Sequence, residues 1–146
     1  MKKYELTDET IEVYGTALHR IKALKDFGNV KKGELGGYVE SERNLSQEGN
    51  CWVYGNAWVY GNAWVCGNAE VCGNADYITI KGLGSVCRNT TIFRTKGKNI
   101  AVKCGCFYGT LAEFVDKVKE THGNSKFAKE YLALIDLVKI HFELEE

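Results

Sequence analysis

The chain has 146 residues, 45% of them apolar and 26% charged, with a formal net charge of zero. That length bounds one domain, or one domain with an appendage. A neutral balance argues against a general grip on nucleic acid or an anionic membrane and leaves room only for a local basic patch. No apolar run of secretory type opens the sequence and no run reaches about 18 residues. The six cysteines read as reduced thiols rather than a disulfide frame, so a cytoplasmic protein is expected.

In chain order, residues 3–26 read as β structure. Two alternating runs, one carrying Ile11 and Val13, the other Leu18, Ile21 and Leu24, meet at a bend over Tyr14-Gly15-Thr16. Asp26 to Gly37 is turn-rich, and the segment from Phe27 to Asn50 reads as an irregular lead-in, with Val30 and Val39 as core positions of an imperfect first rung. Residues 1–34 are therefore expected to form an N-terminal β cap, which a repeat core needs at its end.

From Gly49 to Asp76 the chain repeats every six residues. Gly-Asn recurs at 49, 55, 61, 67 and 73, valine at 53, 59, 65 and 71, and alanine at 57, 63, 69 and 75, with Cys51 in the alanine slot one unit earlier. Ala-x-Val puts a small and a branched apolar side chain on one face of a short strand. Gly-Asn then turns the chain, because both residue types tolerate positive φ. A strand that always turns after the same few residues closes into a coil with valine and alanine stacked inside. Cys66 and Cys72 fill the slot of Tyr54 and Tyr60.

This pattern resembles the left-handed parallel β-helix of hexapeptide-repeat proteins, in which an aliphatic residue and a small residue four positions later point inward. Val53 with Ala57, Val59 with Ala63, Val65 with Ala69 and Val71 with Ala75 match it. The approach GGYVESERNLSQEGNCWVYGNA is similar to the YdcK-like branch of that family, often described as acyltransferases, over roughly residues 35–80. The resemblance implies three hexapeptides per triangular rung and, in family acyltransferases, a catalytic histidine in a cleft between subunits of a trimer. No histidine lies within the repeats of this chain.

After Asp76 the repeat decays, and residues 35–82 are assigned to the coil. YITIKGLGSV keeps alternation, and TTIFRTKGKNIAVKCGCF reads as two strands joined at Lys96-Gly97-Lys98-Asn99, a β-hairpin region over 83–109. Residues 110–146 are a helical pair. Thr110 and Glu113 form a capping box, followed by Leu111, Phe114, Val115, Val118 and His122 at helical spacing up to Gly123. Asn124 or Ser125 caps a second helix reaching about Leu144, apolar over most of its circumference. Such a helix is buried on more than one side, so a homo-oligomer, a trimer or larger, is expected. The fold class is thus mainly β with C-terminal α: a short left-handed coil, flanking β-hairpins and two helices.

Trp52, Trp58 and Trp64, with Tyr54 and Tyr60, flank the inward valines and point outward, with Glu70 above Trp52. Either they are covered by the N-terminal hairpin, the helices or other subunits, or at least one Trp-Tyr pair stacks on a planar ligand at a subunit boundary. Arg88, Arg94, Lys96, Lys98 and Lys103 cluster in sequence, and Arg94, Lys96 and Lys98 alternate onto one strand face. They are either solvated edge-strand charges or a fork for phosphate or carboxylate. The candidate ligand-binding set is therefore Trp58, Tyr60, Trp64, Arg88, Arg94, Lys96 and Lys103. Cys104-Gly-Cys106 places two thiols on one strand face but lacks the further ligands of a metal site. His122 and His141 read as structural residues on helix core faces, and His19 as isolated. No nucleophile, base, metal or cofactor is expected.

The ending CGCFYGTLAEFVDKVKETHG, joined to so short a coil, looks like small phage and prophage proteins. That resemblance implies a non-enzymatic oligomer in the cytoplasm of a bacterial host, an anti-defence protein sequestering a small nucleotide signal in inter-subunit pockets. An acyltransferase using acyl-CoA, and a structural module that blocks a host defence protein, are the alternatives.

Overall fold

The computed structural model describes residues 2–97 and 99–144, and it is mainly β with two C-terminal helices. Strands β1 (Tyr4–Val13) and β2 (Thr16–Ala23) form an antiparallel hairpin turning at Tyr14-Gly15, and β3 (Leu35–Val39) pairs antiparallel with β2. From β3 the chain enters the repeat, through a 3-10 turn at Glu42–Asn44 and three two-residue strands: β4 (Trp52–Val53), β5 (Trp58–Val59) and β6 (Glu70–Val71).

The repeat pairs in parallel with itself. Tyr38 and Val39 lie beside Trp58 and Val59, Leu45 beside Val65, and Trp52 and Val53 beside Glu70 and Val71. Two stacked turns of chain result. In the upper turn Val59, Val65 and Val71 keep the six-residue step; in the lower, Val39 and Leu45 keep it, and two extra residues before Val53 are taken up in the loop from Ser46 to Asn50. All six of these side chains are fully buried, with Ala57, Ala63 and Ala69 between them. Ala75, expected inward opposite Val71, is exposed instead. The chain leaves the coil there, because the Asp76 carboxylate accepts the Cys72 and Gly73 N–H groups at 2.8 and 2.9 Å and folds the fifth unit into a turn.

The end of the coil is closed by side chains. Lower-turn N–H groups of Tyr38, Ser46, Trp52 and Tyr54 donate to upper-turn carbonyls. That leaves upper-turn donors without a third turn to meet, and unmet buried donors are costly. Asn74 Oδ1 accepts from Trp58 N at 2.8 Å, Thr91 Oγ1 from Trp64 N at 3.1 Å, and the Tyr108 hydroxyl from Asn68 N at 3.4 Å, while Asn89 Nδ2 donates to Asn62 O.

Thr91, Asn89 and Tyr108 belong to a second, antiparallel sheet of order β10-β9-β8-β7, formed by β7 (Tyr77–Leu83), β8 (Arg88–Arg94), β9 (Ile100–Cys104) and β10 (Phe107–Thr110). Its two-residue alternation serves two cores. Phe93 and Ala101 face the coil; Ile92 and Val102 face α1 (Leu111–His122) and α2 (Lys126–His141). The order of layers is coil, sheet, helices. Gly105 and Cys106 form the two-residue turn between β9 and β10, so Cys106 is exposed in a turn rather than sharing a strand face with the buried Cys104.

Both helices start as their sequences dictate. Thr110 Oγ1 accepts from Glu113 N at 3.1 Å while Glu113 Oε1 accepts from Thr110 N at 2.9 Å, and Ser125 caps α2. Tyr131, Leu134, Ile135 and Val138 seat α2 on the sheet and α1. The helix is covered on this side by its own chain; Leu137 and Ile140 remain exposed. No helix among the described residues is long and apolar enough to cross a membrane.

Candidate functional site

The three tryptophans share a repeat position and have three different environments. Trp52 is 1% exposed, edge-on to Tyr4 and Phe27 under the N-terminal hairpin. Trp58 and Tyr60 are partly buried against Val13, Leu18 and Tyr38 on the other side of that hairpin. Trp64, on the side facing the second sheet, is 44% exposed.

The register of the second sheet puts cations beside Trp64. Thr91 receives the Trp64 amide, and Lys103 is the cross-strand partner of Thr91. Lys103 Nζ therefore sits 4.6 Å from the Trp64 ring centroid, within cation–π range. A depression of about 200 Å³ is lined there by Trp64, Arg88, Asn89, Thr91, Lys103 and Gly105. A second, of about 500 Å³, shares Trp64 and Asn89 with the first and adds Arg43, Lys81, Ser46 and Glu42. Glu42 is engaged by Lys2 at 3.0 Å, and with Gln47 this hold draws its carboxyl below the usual range. Among the described residues Arg43, Lys81, Arg88 and Lys103 have no carboxylate in ion-pair range. Trp64 thus stands between two depressions bordered by four cations.

Of the expected ligand set, Trp64, Arg88 and Lys103 come together. Trp58 and Tyr60 lie under the N-terminal hairpin instead. Arg94 is engaged elsewhere: its Nε is 3.0 Å from Asp76 Oδ1, and its guanidinium covers the Phe142 ring at 5.0 Å. It fastens the coil's exit to the end of α2. Strand β8 ends at Arg94, so Lys96 is exposed in the following turn, and Lys98 lies outside the described residues. The sequence reading missed Arg43, Lys81, Asn89 and Thr91. Asn89 and Thr91 alternate on β8, but only their hydrogen bonds to Asn62 O and Trp64 N show that they face the coil.

The histidines are apart from this surface. His19 Nδ1 lies 3.1 Å from Thr7 O, His122 stacks on Tyr131, and His141, exposed rather than on a core face, places Nε2 2.8 Å from Ala75 O. All six cysteines are free, and no group of three or more potential metal ligands forms among the described residues.

The chain matches no family model. Over 62 residues it is 40% identical to the Escherichia coli (strain K12) protein named "Uncharacterized acetyltransferase YdcK", a stretch covering 37% of this chain and 19% of that relative. The chain spans about a fifth of the relative's length, and the likeness is to a part of that protein.

Proposed function

We propose that this protein binds a small nucleotide-type anion on the Trp64 surface and does so without catalysing a reaction. The supporting observation is the pairing of an exposed indole with Lys103 and Arg88, two cations that no carboxylate of the described residues neutralises. A base stacked on an aromatic ring gains about 1–3 kcal/mol, and a guanidinium fork with an ammonium holds phosphate oxygens. In this reading the base lies against Trp64 in the larger depression, near Asn62, and the phosphate lies toward Arg88 and Lys103. The coil is left-handed, and copies of the chain assemble so that the depressions lie at subunit boundaries. The host setting is a bacterial cytoplasm, where holding such a signal would blunt a defence response.

The test is a titration of mono-, di- and cyclic nucleotides followed by tryptophan fluorescence. Trp64 is the most exposed of the three indoles and should carry the quenching. Saturable quenching that disappears in Trp64→Phe and weakens about tenfold in Lys103→Gln supports the reading. No saturable response to any nucleotide would sink it.

Acyl transfer is the second reading, favoured by the likeness to a protein named as an acetyltransferase. It predicts acetyl-CoA turnover that is lost when one of His19, His122 or His141 is replaced.

A further inference from the structure

A separate pocket lies between the second sheet and α1, and the Trp64 reading does not use it. Its volume is about 180 Å³, and its walls are Phe107, Phe114, Val118 and Tyr131. The rings are mutually fixed: Phe107 and Phe114 are 5.4 Å apart, Phe114 meets Tyr131 edge-on at 5.4 Å, and His122 stacks on Tyr131. The polar atoms of the floor are already partnered. The Tyr131 hydroxyl donates to Leu83 O at 3.1 Å, and Cys104 Sγ accepts the Thr90 hydroxyl at 3.3 Å. The floor therefore asks for apolar contact rather than hydrogen bonds.

The mouth has the opposite character. Arg88 lies against the backbone of Gly105 and has no carboxylate in range among the described residues. Lys117, also lining the pocket, has among the described residues only an exposed partner, Glu120, at 3.9 Å. Such an exposed pair is weak and easily exchanged. An aromatic floor with two available cations at its rim selects an amphiphilic anion. Size narrows the class, because a cavity of about 150 Å³ holds one benzene ring, so about 180 Å³ fits a single ring.

We propose that this pocket is a second binding site, for a small single-ring aromatic carboxylate, with the ring on Phe114 and Tyr131 and the carboxylate between Arg88 and Lys117. Arg88 borders both this pocket and the smaller Trp64 depression. Lys117 borders only the former and Trp64 only the latter, so the two sites can be tested apart.

The probe is benzoate, titrated into the full chain under reducing conditions and followed by amide NMR, with neutral benzamide as its isostere. Benzoate is expected to shift the amides of Cys106, Val118 and His122 with a Kd on the order of 1 mM, the range open to so few atoms. Benzamide should bind at least about tenfold more weakly, as should benzoate to Lys117→Glu, whose exposed site leaves folding untouched. Trp64→Ala should bind benzoate as the wild type does, and Lys117→Glu should keep any nucleotide response. The proposal is overturned if benzoate shifts no amide around the pocket, if benzamide binds equally well, or if Trp64→Ala abolishes benzoate binding.

Discussion

The Thr91 hydroxyl accepts the Trp64 amide hydrogen at 3.1 Å, joining the second sheet to the open edge of the coil. The same contact fixes the indole beside Lys103, because Thr91 and Lys103 are cross-strand partners. Thr91 is fully buried. Thr91→Val keeps its shape but leaves the Trp64 N–H unmet, at a cost of about 1–2 kcal/mol. That should lower Tm by about 3–6 °C in a chain of this size. Thr91→Ser, which keeps the acceptor, should recover most of the loss, and thermal unfolding of the three proteins compares them directly.

Trp52 and Trp64 are the same letter in the same repeat slot, with opposite expected outcomes. Trp52→Ala removes a fully buried ring from between Tyr4 and Phe27 and should cost about 3–5 kcal/mol. Trp64→Ala, at an exposed ring, should shift stability by no more than about 1 kcal/mol while removing the nucleotide response. Urea denaturation beside the fluorescence titration separates these effects.

Gly61 and Gly67 make the same contrast within the turns. Both have positive φ, 68° and 62°. A Cβ at Gly61 would meet open space, whereas at Gly67 it would collide with the Tyr108 hydroxyl. Gly61→Ala should cost about 1 kcal/mol, the ordinary strain of that conformation. Gly67→Ala should cost clearly more, because Tyr108 must also give up the Asn68 amide. Equal urea midpoints for the two variants would contradict this account of how the coil is closed.

Alkaline pH offers a fourth test. Burial pushes the Cys66 thiol up from 9.0 to about 11. A thiol that keeps its proton longer in the folded than in the unfolded state supports the fold fully below pH 9. It loses that support as pH climbs through 11. The loss is about 1–2 kcal/mol, allowing for the solvent that reaches the sulfur. Cys66→Ala should flatten the dependence of the urea midpoint on pH between 9 and 11, and an unchanged slope would assign the loss to other groups.

The features legible in the sequence are those set by local chemistry. Valine every six residues, the Gly-Asn turns at 49, 55, 61 and 67, the Tyr14-Gly15 bend and the Thr110–Glu113 box each follow from neighbouring residues and occur where expected, whereas the fifth Gly-Asn, at 73, lacks the positive φ. What was not legible depends on contacts distant in sequence. The repeat cannot say which tryptophan the hairpin covers, because that depends on where Tyr4 and Phe27 land. Strand alternation grouped Arg94 with Lys96, but β8 ends at Arg94 and Asp76 engages its guanidinium. Ala75 kept its repeat letter after the coil had ended, because the carboxylate that ends it belongs to the next residue. Arg43 and Lys81 carried no pattern of their own; Arg43 meets Trp64 through the stacking of one turn of the coil on the other, and Lys81 through the stacking of sheet on coil.

The most direct test of the central claim is native mass spectrometry of the protein purified from a bacterial host, wild type beside Trp64→Ala, before and after gentle denaturation. The wild type should carry and then release a nucleotide-sized molecule, and Trp64→Ala should emerge folded and empty. A wild-type protein with only its polypeptide mass, or a Trp64→Ala protein that keeps the same bound molecule, would contradict that claim.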